Sequence, residues 1–501
     1  MSLVDESTEQ SLILAAEECP RDRFSDYHTF SRNDDSIIRK LCAHGPVLLR
    51  GGRGSGKSAL LIEAYNRMRI LPSVFPVYLS LRYLPLLQSD GNEYIHHFCT
   101  LLSREILREL QERAFDAPFF AATSDQASLQ LNLATLAQNL NVRIVLLFDD
   151  AAHIGREKPL EVFFDLFRTL SSNLTSCKAS IYPGVTKFGV RFDVFNDSTV
   201  IDITRSDVIG HPDFFPSVLA ARYPRLAQAN IFSDSLSPAR FANLLGKAVV
   251  GNLRALILAC NKFESKSKIG IPELTECLVE MASDHFWPLM DEVAPKLGIY
   301  EVLIEPTREV IELVIEHMVK PIKDKTRSIP QDRVLIHRQI VSQYSKIFEI
   351  LEYLGFVSKR EASRSLKSGG RGPVYNINLC NLLEATPSRR LTVEIIDDWL
   401  ADKSDSAEIH VSGSTFQSIT LPDLSEERGL AILGKPIEIL VKSKIYPYGI
   451  SGNILSRLKE ANLQTVGDLA ASSDEQLDSV SYIGSARIKN IRDSVYQAIW
   501  M

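Results

Sequence analysis

Residues Gly51-Gly52-Arg53-Gly54-Ser55-Gly56-Lys57-Ser58 place four glycines, two basic side chains and two hydroxyls at the spacing GxxxxGK[ST]. Glycines let the backbone curl until successive N–H groups point inward, and such a nest leading into a helix N-terminus attracts phosphate. In that arrangement Lys57 reaches the β- and γ-phosphates of a nucleotide and Ser58 ligates Mg²⁺. Ala59 begins the helix behind them. A chance match in a glycine-rich turn would lack the right flanks. Here a strand-length apolar run, PVLLR, comes before and a helix-period run, SALLIEAYNRM, comes after.

A second group lies in Ile144-Val145-Leu146-Leu147-Phe148-Asp149-Asp150. The apolar residues predict a buried central strand, with two carboxylates emerging at its C-terminal end, where open α/β sheets bind ligands. Asp149 is placed to hold the Mg²⁺ shell and Asp150 to act as general base on the attacking water. A strand followed by an Asp-rich turn is the alternative. His153 follows, either as a polar contact to the γ-phosphate region or as a hydrogen-bonded residue at a helix start.

These groups need a frame. Apolar runs at 46–50, 75–81, 142–148, 179–183 and 199–203 alternate with helix-period segments such as 92–114 and 125–140, which predicts a mostly parallel sheet covered on both faces. From about 206 to 355 helices dominate. Residues 356–379 read as a β-hairpin turning near Gly369-Gly370.

Composition sets the outer bounds. The chain has 501 residues, 45% apolar and 24% charged, with a net charge of −6. That excludes a disordered, fibrous or mini-protein class and predicts about three domains. Seven scattered cysteines without CxxC spacing argue against a disulfide framework or a zinc site. The start MSLVDESTEQ is acidic and polar, and no apolar run approaches the ~20 residues that span a bilayer. The expected location is cytoplasmic, without a membrane partner.

The order of PVLLRGGRGSGKS, LLFDDAAH, Gly251-Asn252-Leu253-Arg254-Ala255-Leu256 and a following winged-helix pattern resembles the Orc1/Cdc6-like branch of the AAA+ ATPases, of bacterial type, with a likeness to the STAND signalling ATPases. The resemblance spans about residues 25–385. It implies ATP and Mg²⁺ as cofactors, a helical lid, and Arg254 as the lid arginine that reaches the nucleotide phosphates. Lys57, Asp150 and Arg254 would then form the catalytic set. Two departures stand out. Asp150 replaces the family's usual glutamate, and SIYPGVTKFGVRFD offers only Tyr182 and Thr186 near the family's polar position at the end of the fourth strand. Arg191 is a candidate finger toward a neighbouring subunit. Both departures imply slow hydrolysis.

Between 320 and 372 twelve Lys and Arg stand against five Asp and Glu, a local balance of +7 that leaves −13 for the rest. The segment QIVSQYSKIFEILEYLGF has apolar residues at Ile340, Tyr344, Ile347, Phe348, Leu351 and Leu354, a helical period. Helix, strand, basic turn and strand make the layout of a winged helix. Lys359, Arg360, Arg364, Lys367 and Arg371 would contact DNA phosphates, giving salt-sensitive and weakly sequence-specific affinity. A winged helix used for protein contacts is the alternative.

Residues 445–499 resemble the C-terminal domain of the bacterial RNA polymerase α subunit, a helix-hairpin-helix relative, through LKEANLQTVGDL and YIGSARIKNI. Gly484 would permit the hairpin, and Arg487, Lys489 and Arg492 would add charge. Asn453 falls where that family has a minor-groove arginine. This tail therefore reads as a DNA-binding or a protein-docking module.

The expected architecture is an α/β P-loop NTPase of AAA+ type followed by an all-α lid, a winged helix and a small helix-hairpin-helix-like tail. The expected boundaries are an N-terminal tail at 1–24, the core at 25–205, the lid at 206–270 and the winged-helix domain at 271–390. An acidic linker, 391–427, with one helix at about 392–401, nine acidic residues and one lysine (Lys403), then leads to the terminal domain at 428–501. Three functional readings follow. One is an ATP-driven switch coupling nucleotide state to DNA or a partner, a setting that the resemblance places in phage defence or mobile elements, with any effector a separate protein. The second is a STAND-like signalling scaffold. The third is a replication initiator or loader. Homo-oligomers are common among such relatives.

Overall fold

The computed structural model describes residues 13–500 except 84–90, 153–156, 185–187, 189–190, 206–209, 404, 423, 425–430, 444–445 and 447–448. A five-stranded sheet forms from β1 (Val47–Arg50), β2 (Val74–Ser80), β3 (Arg143–Ala152), β4 (Thr175–Ile181) and β5 (Thr199–Asp202). All pairings are parallel and the order is β2-β3-β4-β1-β5. Residues Ile144–Phe148 of β3 are fully buried because helices cover both faces, which is why this strand is a continuous apolar run. β1 and β3 lie on either side of β4, so the turn leaving β1 and the carboxylates leaving β3 meet above the end of β4.

β4 starts at Thr175, four residues before the apolar signal. Its early residues Thr175, Ser176 and Lys178 are buried but satisfied internally, with Lys178 Nζ donating to the Ala43 carbonyl at 2.7 Å and also to that of Gly45.

Beyond the sheet, one hydrophobic cluster runs without a break from Phe214 to Ile419. It gathers helices Phe214–Arg222, Pro238–Ala248, Leu253–Asn261, Ile271–Met281 and Ile304–Lys323 with a second sheet. The expected boundary at 270/271 is thus not a boundary between cores. The second sheet contains β6 (Arg333–Ile336), β7 (Val357–Ser365), β8 (Arg371–Ile377) and β9 (Ala407–Ile409), in the order β7-β8-β6-β9. The hairpin of β7 and β8 turns at Gly369 and Gly370, both at positive φ. The single helix read over 339–356 is broken at Tyr344 into Arg338–Gln343 and Ser345–Leu354.

The expected helix at about 392–401 is present, but its surroundings are packed structure and the linker reading is corrected. Helix Val393–Ala401 buries Ile396 and Trp399, and the Trp399 indole N–H donates to the Pro330 carbonyl at 2.9 Å. β9 pairs in parallel with β6. The acidic composition hid this because one of the acids is structural. Asp402 is buried against Lys247 at 3.1 Å, Arg360 at 2.5 Å and Arg333. Burial alone would raise this carboxyl, but these cations outweigh it and hold it below its ordinary range.

The terminal domain has its own core, from Ile432 to Ile499, built on helices Gly452–Glu460, Val466–Ala471 and Ser485–Trp500. At the other end, Ile13, Cys19, Phe24 and Tyr27 pack on Ala59 beside the glycine-rich turn, so the described part of the expected N-terminal tail is structured.

Candidate functional site

The turn after β1 carries the glycine motif. Gly54 and Gly56 have φ of +75° and +88°, conformations that L side chains rarely adopt. A Cβ on Gly54 would also fall 1.9 Å from Asn252 Oδ1. Helix Lys57–Arg69 starts directly behind the turn. Lys57 Nζ donates to the Gly51 and Gly52 carbonyls at 2.8 and 3.0 Å and lies 3.7 Å from the Tyr182 ring centroid. Burial pulls its pKa down, against the opposing pull of Asp150 and Asp149. Around the turn, Ser55 Oγ, Arg53 Nη1 and Arg254 Nε are buried without a hydrogen-bond partner. Such donors in a glycine cradle at a helix start suit an anion of phosphate type.

Asp149 is fully buried at the end of the apolar part of β3. It accepts hydrogen bonds from the Ser180 hydroxyl at 2.6 Å and the Tyr78 hydroxyl at 2.8 Å. Asp150 follows in the left-handed region, φ +51°, where the β3–β4 register shifts. That conformation is uncommon off glycine and clusters at functional sites. Its N–H donates to Ser180 Oγ at 2.9 Å and its carboxylate accepts from the Tyr182 hydroxyl at 3.3 Å. Burial, then the neighbouring Asp149 and Glu17, raise the Asp150 pKa. A carboxylate of raised basicity, oriented beside a cradle for phosphate, can take a proton from water.

The lid side is pinned to the turn. The Leu253 N–H donates to the Gly54 carbonyl at 2.8 Å, and Asn252 caps helix Leu253–Asn261 through Ala255 N–H at 3.1 Å. Arg254, on the first turn of that helix, lines the same cavity as Lys57, Ser58 and Asp150. Arg205 closes the other flank, donating to the Ser55 carbonyl at 2.8 Å and pairing with Asp34 at 2.7 Å. Away from the phosphate end the cavity wall is Ile13, Tyr27, His28, Phe214, Val218 and Ile257, a slot suited to a flat ring. Burial lowers the His28 pKa to about 4, so this imidazole is neutral at neutral pH.

The helix-and-hairpin unit meets this site at one end of its helix. Helix Ser345–Leu354 buries Ile347, Phe348, Ile350, Leu351, Tyr353 and Leu354. The Arg53 N–H donates to the Tyr353 carbonyl at 3.1 Å, and Lys346 Nζ donates to the Gly184 carbonyl at 2.7 Å. The Tyr353 ring meets the Tyr182 ring edge-on at 5.0 Å between centroids. A Cβ on Gly52 would lie 2.6 Å from the Glu352 carbonyl oxygen.

The basic wing residues do not act as one set. Lys359, Lys367 and Arg371 are exposed, with Arg371 bonded to Ser363 Oγ at 2.9 Å. Arg360 instead turns inward to Asp402, and Arg364 pairs with Glu361, 2.9 Å from its Nε. In the terminal domain Arg492 pairs with Asp474 at 2.9 Å and donates to the Leu469 carbonyl at 2.8 Å, so its charge is used within the fold. Arg487 bonds the Tyr482 carbonyl, while Lys489 and Asn453 are exposed. Arg191 is exposed. His153 and Thr186 lie outside the described residues.

Of the residues singled out in the sequence, Arg53 to Ser58, Asp150 and Arg254 line one cavity, while Asp149 is fully buried beside Asp150 and is not part of that lining. The sequence reading missed Ser180, Glu17, Arg82, Asn252 and Arg205. Asn252, inside the quoted GNLRAL run, and Ser180, the first residue of the quoted SIYPGVTKFGVRFD run, stood in recognisable patterns. The others are single polar residues whose partners are distant in sequence.

No protein-family model matches the chain, and no curated protein matches it. Among solved structures it is similar to Cdc6p from Pyrobaculum aerophilum, at 13% identity over 79% of this chain and 98% of that one, with a TM-score of 0.34. It is similar to the Orc1 protein of Aeropyrum pernix in complex with DNA, at 13% over 79% and 98%, TM-score 0.32. It is also similar to a STAND protein with a tetratricopeptide repeat sensor from Pyrococcus horikoshii, at 13% over 72% and 42%, TM-score 0.27. Scores this low bear on neither activity nor partners.

Proposed function

We propose that this chain is an ATP-binding and ATP-hydrolysing switch of AAA+ type, whose winged-helix domain is held on the phosphate turn in one nucleotide state and freed in another. The observation that carries the reading is Tyr182. Its hydroxyl donates to Asp150, its ring lies under Lys57 Nζ, and its edge meets Tyr353 of the docked domain. For Lys57 to engage phosphate it must leave the Gly51 and Gly52 carbonyls and the Tyr182 face. That movement is passed to Tyr353, because closely packed rings have few alternative arrangements.

The residues fit Mg·ATP. The glycine turn and its unpartnered buried donors would hold the phosphates, and Ser58 and Asp149 would hold Mg²⁺ together with phosphate oxygens. Bound ATP supplies the scissile γ-phosphoanhydride. Asp150 orients and deprotonates the water, and Lys57 and Arg254 neutralise developing charge.

Freed from the turn, the winged domain would present helix Ser345–Leu354 and the exposed Lys359, Lys367 and Arg371 to DNA. A second reading, a nucleotide-dependent scaffold for a separate protein or a second copy of the chain, is favoured by the apolar character of that helix. DNA binding measured across a salt series separates the two. With ATPγS the protein is expected to bind duplex DNA with a steep salt slope, and reversing the three exposed charges to Glu should flatten that slope by about three. Gly52→Ala, whose Cβ pushes against Glu352, should bind DNA without nucleotide. Absence of DNA binding at low salt by both proteins would leave the scaffold reading.

A further inference from the structure

Glu17 lies on a short turn, Ala16–Glu18, that the N-terminal segment lays over the phosphate end of the cavity. Arg82 lies on another, Leu81–Tyr83, directly after β2. Arg82 Nη1 donates to Glu17 Oε1 at 3.1 Å, and each side chain is only 13% exposed. The second carboxylate oxygen, Glu17 Oε2, is buried without a hydrogen-bond partner. Burial first, and then Asp149, raise the Glu17 pKa, while Arg82 and Arg254 lower it.

A half-satisfied carboxylate beside a second one is a costly arrangement for stability alone. Its surroundings account for it differently. Lys57, Arg82 and Arg254 line one cavity, three cations around the end of a phosphate cradle. Glu17 places an anion among them. A carboxylate and a terminal phosphate offer an arginine the same kind of planar, charged acceptor edge.

We infer that Arg82 is a further phosphate-binding residue of this site, specific for the terminal phosphate of a triphosphate, and that Glu17 is the internal anion that holds its place. The inference rests on the nucleotide-switch reading and names what tells a triphosphate from a diphosphate. Exchange of Arg82 from Glu17 to phosphate makes no covalent bond and breaks none. It releases the segment around Glu17 from the cavity mouth. Asp493 of the terminal helix Ser485–Trp500 lines the same mouth and feels the Arg82 charge, so the exchange also weakens the attraction between the terminal domain and the core.

The test is equilibrium binding of ATPγS and of ADP, each with Mg²⁺, by calorimetry on the full chain. Arg82→Ala is expected to weaken ATPγS about tenfold or more while ADP stays within about threefold, since one charge-assisted contact is lost for the triphosphate alone. Glu17→Gln removes the competitor and should tighten ATPγS about fivefold with ADP unchanged. ADP binding reports whether each variant keeps its site, and Glu17→Gln, on the N-terminal segment, tests the pairing independently if Arg82→Ala fails to fold. Equal changes for the two nucleotides in the variants would overturn the role of Arg82. Binding of neither nucleotide by the unaltered protein would instead remove the switch reading beneath it.

Discussion

Lys57→Ala is expected to weaken Mg·ATP by roughly 30- to 150-fold, the equivalent of about 2–3 kcal/mol for a lost contact to a charged group. The ammonium is buried and its present partners are the Gly51 and Gly52 carbonyls. Those carbonyls belong to the turn itself, so the phosphate contact is gained by exchanging neutral acceptors for a charged one. Calorimetry with ATP and ADP measures the loss. Unchanged affinity would mean that the glycine turn is not the phosphate site. Because Lys57 also lies over the Tyr182 ring, the same variant should loosen the Tyr182–Tyr353 contact.

Asp150→Asn is expected to lower kcat for ATP hydrolysis by about 10²–10⁴-fold, the range for loss of a positioned general base. Nucleotide affinity should change little, because the Asn side chain keeps the Tyr182 and Ser180 geometry. The left-handed backbone at this position also tolerates Asn, as it does Asp. A steady-state assay with a parallel binding measurement separates the two effects. Full turnover in the variant would move the base elsewhere. A matching loss of affinity would recast Asp150 as a binding residue.

The parts of this site that repeat a local pattern were legible in the sequence. A glycine-rich turn between a strand and a helix, and carboxylates at the end of an apolar strand, are patterns within a dozen residues, and the fold sets them side by side. Arg254 was read through resemblance, and it stands on the first turn of helix Leu253–Asn261, lining the same cavity as Lys57. Contacts made across long stretches of chain were not legible. Glu17 meets Arg82 and Arg205 meets Asp34 only after the sheet has formed. The acidic stretch after residue 391 misled for the opposite reason. Its composition resembles a solvated linker, yet Asp402 satisfies Lys247, Arg333 and Arg360, and a three-residue strand there is too short to announce itself. The basic segment misled in the same way, since Arg360 and Arg364 are already paired within the fold. A local excess of charge counts residues, while function depends on the few left facing solvent.

The docked position of helix Ser345–Leu354 was also beyond the sequence. Its apolar period specified a buried face but not which surface buries it. That face packs on helix Ile304–Lys323 and β7, while the C-terminal end of the helix, at Glu352 and Tyr353, meets the phosphate turn, and the switch depends on this second contact. Amide hydrogen exchange across Ser345–Leu354, compared between Mg·ADP and Mg·ATPγS at saturating concentrations of each, tests it most directly. This helix, and Arg53 with it, are expected to exchange faster with the triphosphate than with the diphosphate. Equal protection in both, with both nucleotides bound, would contradict it.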